Sequence, residues 1–148
     1  MPASSDIHKP LWGKQLTLGL ADLSVVLSKQ QQNNLLDYLG LLHTWNQVFN
    51  LTAVRNPQKM VSRQLLDSLS IASWIQGQRV LDVGTGAGLP GIPLAIAQPT
   101  RQFVLLDANG KKTRFVQQVM GELGLDNVCV EQSRIETYQD TQGFNTIT

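Results

Sequence analysis

The feature that most constrains this chain is a glycine-rich turn set between an apolar strand and an apolar helix. Arg79-Val80-Leu81-Asp82-Val83 reads as a short buried strand; Gly84-Thr85-Gly86-Ala87-Gly88-Leu89-Pro90-Gly91 follows at once, and Ile92 to Ala97 carries a helix that Pro99 stops. Glycines at 84, 86, 88 and 91 let a ligand approach the backbone at the carboxyl end of a strand, where parallel sheets bind nucleotides. The alternation then continues. Phe103 to Leu106 is a second strand ending in Asp107, and Gly110 to Leu123 an amphipathic helix with Phe115, Val116, Val119, Met120 and Leu123 inward and Gly124 as its stop. Val128-Cys129-Val130 is a third strand, Ser133 to Tyr138 a short helix, and Phe144 to Thr148 the start of a fourth strand. This order predicts a parallel α/β sheet. Three and a fraction strands are fewer than a finished doubly wound domain has, so the sheet is expected to be incomplete at its C-terminal side.

Upstream the period is helical, and the chain divides into a helical region, 1–76, and a sheet region, 77–148. Residues 1 to about 15 show no period and read as a mobile arm, with a small helix between Leu16 and Leu27. Ser28 with Gln31 forms a capping box that opens a helix whose buried stripe is Leu35, Tyr38, Leu39, Leu42, Trp45 and Phe49. Gln30-Gln31-Gln32 is assigned to its solvent face. Asn56-Pro57 starts the next helix, with Met60, Val61, Leu65, Leu69 and Ala72 apolar toward Trp74. Trp12, Trp45 and Trp74 read as packing anchors, Cys129 as a core residue and His43 as solvated.

Composition removes several classes. Twelve basic residues against 11 acidic ones give a net charge of +1, so nucleic-acid contact cannot rest on bulk charge. A single cysteine excludes an intramolecular disulfide and a cysteine-based metal cluster, and His8 and His43 are too far apart in sequence to add a metal signature. With no membrane-length apolar run and no signal-peptide core at the N-terminus, the chain is read as cytoplasmic.

The loop admits two ligand classes. Gly86 to Gly91 satisfies G-x-G-x-x-G, a weak dinucleotide signal, but the turn begins earlier, at Gly84. A carboxylate at Asp82 repels a pyrophosphate and suits the ammonium and sulfonium of S-adenosylmethionine, on a scale of roughly several kcal/mol for close unscreened pairs. Asp107 is placed to accept ribose hydroxyls in either class, and Ser133-Arg134-Ile135-Glu136 to follow the adenine edge. Arg55, Lys59 and Arg63, spaced by four, and Lys111, Lys112 and Arg114, in the first turn of their helix, are candidate phosphate contacts; a solvated helix face stays open for the first group.

Trp45-Asn46, Asn50-Leu51-Thr52-Ala53, Leu66-Asp67-Ser68, Asp82 through Pro93, Leu105-Leu106-Asp107, Lys111-Lys112 and Ser133 to Glu136 together resemble the GidB family over roughly residues 20 to 148. The resemblance implies a Rossmann-like class I methyltransferase that moves a methyl group from S-adenosylmethionine to N7 of a guanine in 16S ribosomal RNA. It implies donor contacts at Gly84, Leu89, Ile135 and Glu136. With Asp82, Thr85, Gly86, Gly88, Asp107 and Arg134, these form the expected cofactor site. Guanine N7 has no proton to lose, so alignment and electrostatics suffice and no catalytic residue is assigned. The implied partner is 16S rRNA in the small ribosomal subunit, without metal or membrane; the oligomeric state stays open, a monomer being the expectation for the complete enzyme. Two departures stand out: Gln64 where the family usually has histidine, and Gln47 where members often carry lysine. The family continues from the fourth strand into a Ser-Arg-Ala segment whose arginine reaches the donor, a stretch beyond residues 1–148. Two other readings stay open: an inactive fragment that at most binds the donor, and, disfavoured by Asp82, a nicotinamide-dependent oxidoreductase.

Overall fold

The computed structural model describes residues 4–148. A 3-10 turn, Ser4–Ile7, leads into α1 (Lys9–Leu23), with Pro10 in the first turn where a missing N–H costs nothing. The expected arm is therefore helix from Lys9 onward, and its residues 1–3 lie outside the described chain. Trp12 fixes α1: its ring is fully buried and its indole N–H donates to the Pro57 carbonyl at 2.9 Å. The partner carbonyl lies 45 residues away, so nothing local marks that contact in the sequence.

The capping box opens α2 (Lys29–Phe49), with Gln31 N–H donating to Ser28 Oγ at 3.1 Å and Ser28 N–H to Gln31 Oε1 at 2.7 Å. Gln31 does more than face solvent, since its amide also donates to the carbonyls of Ile96 and Ala97. Leu35, Tyr38, Leu39 and Leu42 are buried as expected, whereas Trp45 is half-buried and Phe49 exposed. After Asn50 and a short loop, Asn56 caps α3 (Pro57–Met60), which runs through a π-helical turn (Val61–Leu66) into α4 (Asp67–Leu69). Trp74, in the 3-10 turn Ala72–Trp74, is 77% exposed and anchors nothing in the core.

The sheet region follows the predicted order: β1 (Arg79–Val83), α5 (Gly91–Ala97), β2 (Gln102–Asp107), α6 (Gly110–Leu123), β3 (Val128–Gln132) and β4 (Thr146–Ile147). The four strands are parallel in the order β3-β2-β1-β4. Strand alternation divides the apolar residues between two faces. Val80, Phe103, Leu105 and Val128 join one continuous core with α1, α2, α5 and α6, while Leu81, Val104 and Leu106 pack under Tyr138 and Phe144. Cys129 pairs with Val104 on the second face of an edge strand, beyond helix cover, so it is exposed and not a core residue. His43 is half-buried against the rings of His8 and Trp12, which with His8's charge lowers its pKa.

Among the described residues no helix is long and apolar enough to cross a membrane, and no group of three or more His, Cys, Asp or Glu is placed to hold a metal ion.

Candidate functional site

Three chain segments meet at the carboxyl ends of the strands around a cavity of about 270 Å³. Val83 and Gly84 come from β1 and its loop, Leu106, Asp107 and Ala108 from the end of β2, and Ser133 to Glu136 from the turn after β3. Gly84 has φ +67°, and a Cβ built on it meets nothing within 4 Å, so the backbone presents open space where a ligand needs close approach. Asp107 is half-buried. One of its oxygens accepts the Gly86 N–H and the other the Asn109 N–H, each at 2.8 Å. Each carboxylate oxygen keeps a second lone pair for a ligand hydroxyl. Asn109 in turn caps α6 by accepting from the N–H groups of Lys111 and Lys112.

Asp82 lies elsewhere than the sequence argument placed it. Its register partner is Leu105, on the face that the main core covers, and the residue is 1% exposed. One oxygen accepts the Thr85 hydroxyl at 2.7 Å and the Gly91 N–H at 2.9 Å; the other accepts the Thr148 hydroxyl at 3.1 Å. Burial pushes its pKa up to about 6, with the charge of Asp107 adding to the effect and the three hydrogen bonds opposing it. The carboxylate therefore supports the loop from below and does not line the cavity. Thr85 is buried with its hydroxyl committed to Asp82, Gly88 is buried against Ile92, and Leu89 is half-buried on the core. Of the predicted cofactor residues, Gly84, Asp107, Arg134, Ile135 and Glu136 line the cavity, Gly86 adjoins it through Asp107, and Asp82, Thr85, Gly88 and Leu89 build the loop behind it.

In the sequence pattern Tyr38 is only one member of the buried stripe of α2. In the structure its phenol donates to the Ala87 carbonyl, at the middle of the loop, at 2.9 Å. Burial, and then the nearby Asp82, raise the phenol's pKa above the usual tyrosine range. Asn127, also missed, donates its buried amide to the carbonyls of Ala95, Gln98 and Arg101, joining the end of α5 to β3. Neither contact leaves a local trace in sequence.

The basic candidates separate. Arg55 precedes the Asn56 cap, and its guanidinium turns back onto the end of α2, toward the Asn46 carbonyl at 3.4 Å and the Asn50 side chain, where a cation suits the helix terminus. Lys59 and Arg63 are exposed. Lys111 and Arg114 are exposed at the start of α6, and the half-buried Lys112 brings its Cδ to 4.0 Å from a Cβ built on Gly86. Gln64 is buried in the π-helical turn and donates to Thr52 Oγ1 at 3.0 Å, while Thr52 N–H donates to Asn46 Oδ1 at 2.9 Å.

A family model, GidB, described as rRNA small subunit methyltransferase G, matches residues 31–148. The chain belongs to the GidB family. It is 56% identical over 138 residues to the ribosomal RNA small subunit methyltransferase G of Marinobacter nauticus, covering 93% of this chain and 64% of that protein. The protein of the same name from Nitrosococcus oceani is 55% identical over 132 residues, covering 89% of this chain and 62% of the relative. The chain thus spans less than two thirds of the length of these two GidB relatives. Among solved structures, coclaurine N-methyltransferase bound to N-methylheliamine and SAH superposes with a TM-score of 0.53 at 16% identity, over 99% of this chain and 49% of that one. That likeness concerns the fold, the Rossmann-like architecture of class I methyltransferases.

Proposed function

We propose that this GidB chain carries the donor site of an enzyme that transfers a methyl group from S-adenosylmethionine to N7 of a guanine in 16S ribosomal RNA, acting in the cytoplasm on the small ribosomal subunit. The observation that supports this reading most is the cavity that gathers Gly84, Asp107 and the Arg134 to Glu136 segment at the strand ends. A nucleoside fits these groups. Asp107 keeps acceptor capacity for ribose hydroxyls, the open face of Gly84 admits close backbone approach, and Ile135 offers an apolar surface beside the adenine. Bound there, S-adenosylmethionine supplies an electrophilic methyl group. Guanine N7 attacks through an in-plane lone pair, so the protein's part is to align the base and exclude water, and no general base is required. Lys59, Arg63, Lys111, Lys112 and Arg114 are the proposed phosphate contacts that bring the RNA to the cavity.

The test is calorimetric titration with S-adenosylmethionine and, separately, NAD, alongside an Asp107→Ala variant. Binding of the methyl donor, weakened at least about tenfold in the variant through loss of charged hydrogen bonds, supports the reading. Binding of NAD in its place overturns it, as does a folded chain that binds neither. Methyl transfer to unmodified small ribosomal subunits then tests turnover against a chain that only holds the donor.

A further inference from the structure

The loop from Gly84 to Gly91 is fastened on its sheet side through polar groups of β1 and β2. Thr85 N–H donates to the Leu106 carbonyl at 3.0 Å, Gly86 N–H to Asp107 at 2.8 Å, and Asp82 takes the Thr85 hydroxyl and the Gly91 N–H. Tyr38 fastens it from the opposite side, out of α2. The tyrosine is fully buried, and its ring lies 6.3 Å from that of Phe115, centroid to centroid. Packing alone is served equally by phenylalanine. The hydroxyl is a polar group in a dry core, where it needs a partner, and Ala87, itself buried, supplies its carbonyl.

The place of that carbonyl matters. Ala87 stands between Gly86 (φ +59°) and Gly88 (φ +99°), two residues with wide backbone freedom. The Ala87 carbonyl belongs to the Ala87–Gly88 peptide, whose N–H donates to the Thr85 carbonyl at 3.0 Å, and Tyr38 holds its other edge by taking the carbonyl inward. The neighbouring residue is Gly86, whose N–H sits on Asp107, the carboxylate that borders the cavity. We propose that Tyr38 is a positioning residue for the methyl-donor site, acting through Ala87 and Gly86 on Asp107, so that the helical region sets donor affinity together with the sheet. The proposal rests on the reading of this cavity as the donor site.

The experiment compares Tyr38→Phe with Leu42→Ala in the full chain, the second variant emptying core volume one turn further along the same helix. Three quantities are measured: the dissociation constant for S-adenosylmethionine, the urea midpoint, and amide hydrogen exchange of residues 84–91 without ligand. Tyr38→Phe is expected to weaken donor binding about tenfold and to speed exchange in the loop, because the orphaned buried carbonyl leaves the Ala87–Gly88 peptide held only through the Gly88 N–H. Leu42→Ala is expected to lower the urea midpoint at least as far while holding the dissociation constant within about twofold, since a core cavity spends its cost on global stability. Unchanged donor affinity in Tyr38→Phe, with wild-type protein binding normally, overturns the positioning role alone. Equal weakening by Leu42→Ala also overturns it, because the tyrosine is then merely structural. Folded wild-type protein that binds no S-adenosylmethionine overturns the donor reading itself and takes the proposal with it.

Discussion

Asp82→Asn is expected to stabilise this protein at neutral pH and to do nothing of the kind in acid. The Asp82 carboxyl has its pKa raised from the ordinary 3.8 to about 6, chiefly by burial. A group that holds its proton more tightly when folded makes the native state bind more protons than the unfolded chain over that interval, so stability falls as pH rises from about 4 to about 6. At ~1.4 kcal/mol per pH unit, the cost of the ionised form reaches about 3 kcal/mol and is fully present above pH 6. Asparagine escapes that cost and keeps the contacts. Its carbonyl takes the Thr85 hydroxyl and the Gly91 N–H, and its amide donates to the Thr148 hydroxyl, which can accept as readily as it donates. Urea unfolding of both proteins at several pH values between about 4 and 8 measures the difference. The advantage of the variant should grow by about 3 kcal/mol across the range, a midpoint shift of roughly 1–2 M urea at usual m-values. Asp82→Ala should instead lose stability at every pH, because it strands two buried donors, the Thr85 hydroxyl and the Gly91 N–H. A difference between wild type and Asp82→Asn that does not change with pH refutes the buried-carboxylate account, and one that grows in favour of aspartate reverses its sign.

Other substitutions probe the packing and the surface. A Cβ at Gly91 approaches Asp82 Oδ2 and Leu105 Cγ to 2.7 Å, so Gly91→Ala should cost about 1–3 kcal/mol by overpacking, read as a lower thermal midpoint. Trp12→Phe removes the indole donor from the Pro57 carbonyl and should lower stability by about 1–3 kcal/mol in urea, whereas a mobile arm predicts no change. Replacing both Lys59 and Arg63 by alanine should weaken RNA binding and reduce its salt slope by about two; an unchanged slope removes them from the interface. Arg55→Ala should act mainly on the end of α2, at roughly 0.3–1 kcal/mol, with little effect on that slope.

The local signals were legible because each is a contest over a few backbone groups. The Ser28 capping box, the Asn56-Pro57 start, the left-handed Gly124 stop, the limits of β1 and the end of β2 at Asp107 follow from such short-range demands and lie where the sequence pattern put them, while β2 begins one residue earlier, at Gln102. The site was legible in outline for the same reason: glycines after an apolar strand and an aspartate ending the next one can be counted along the chain. Facing was harder. Asp82 belongs by strand alternation with Val80 on the helix-covered face, and only the packing of α5 over that face shows that its charge supports the loop and does not face the cavity.

By itself, then, the sequence determined the order of elements, the parallel α/β class, the glycine loop and the family, since these depend on neighbours within a few residues or on a long ordered motif. Tertiary structure alone decided the contacts between distant segments: Trp12 on Pro57, Gln31 on the end of α5, Arg55 on the end of α2, Asn127 on α5 and Tyr38 on Ala87. Each joins a polar group to a backbone carbonyl many residues away. Every residue offers such a carbonyl, so no side chain at the receiving end marks the match, and only folding brings donor and acceptor together.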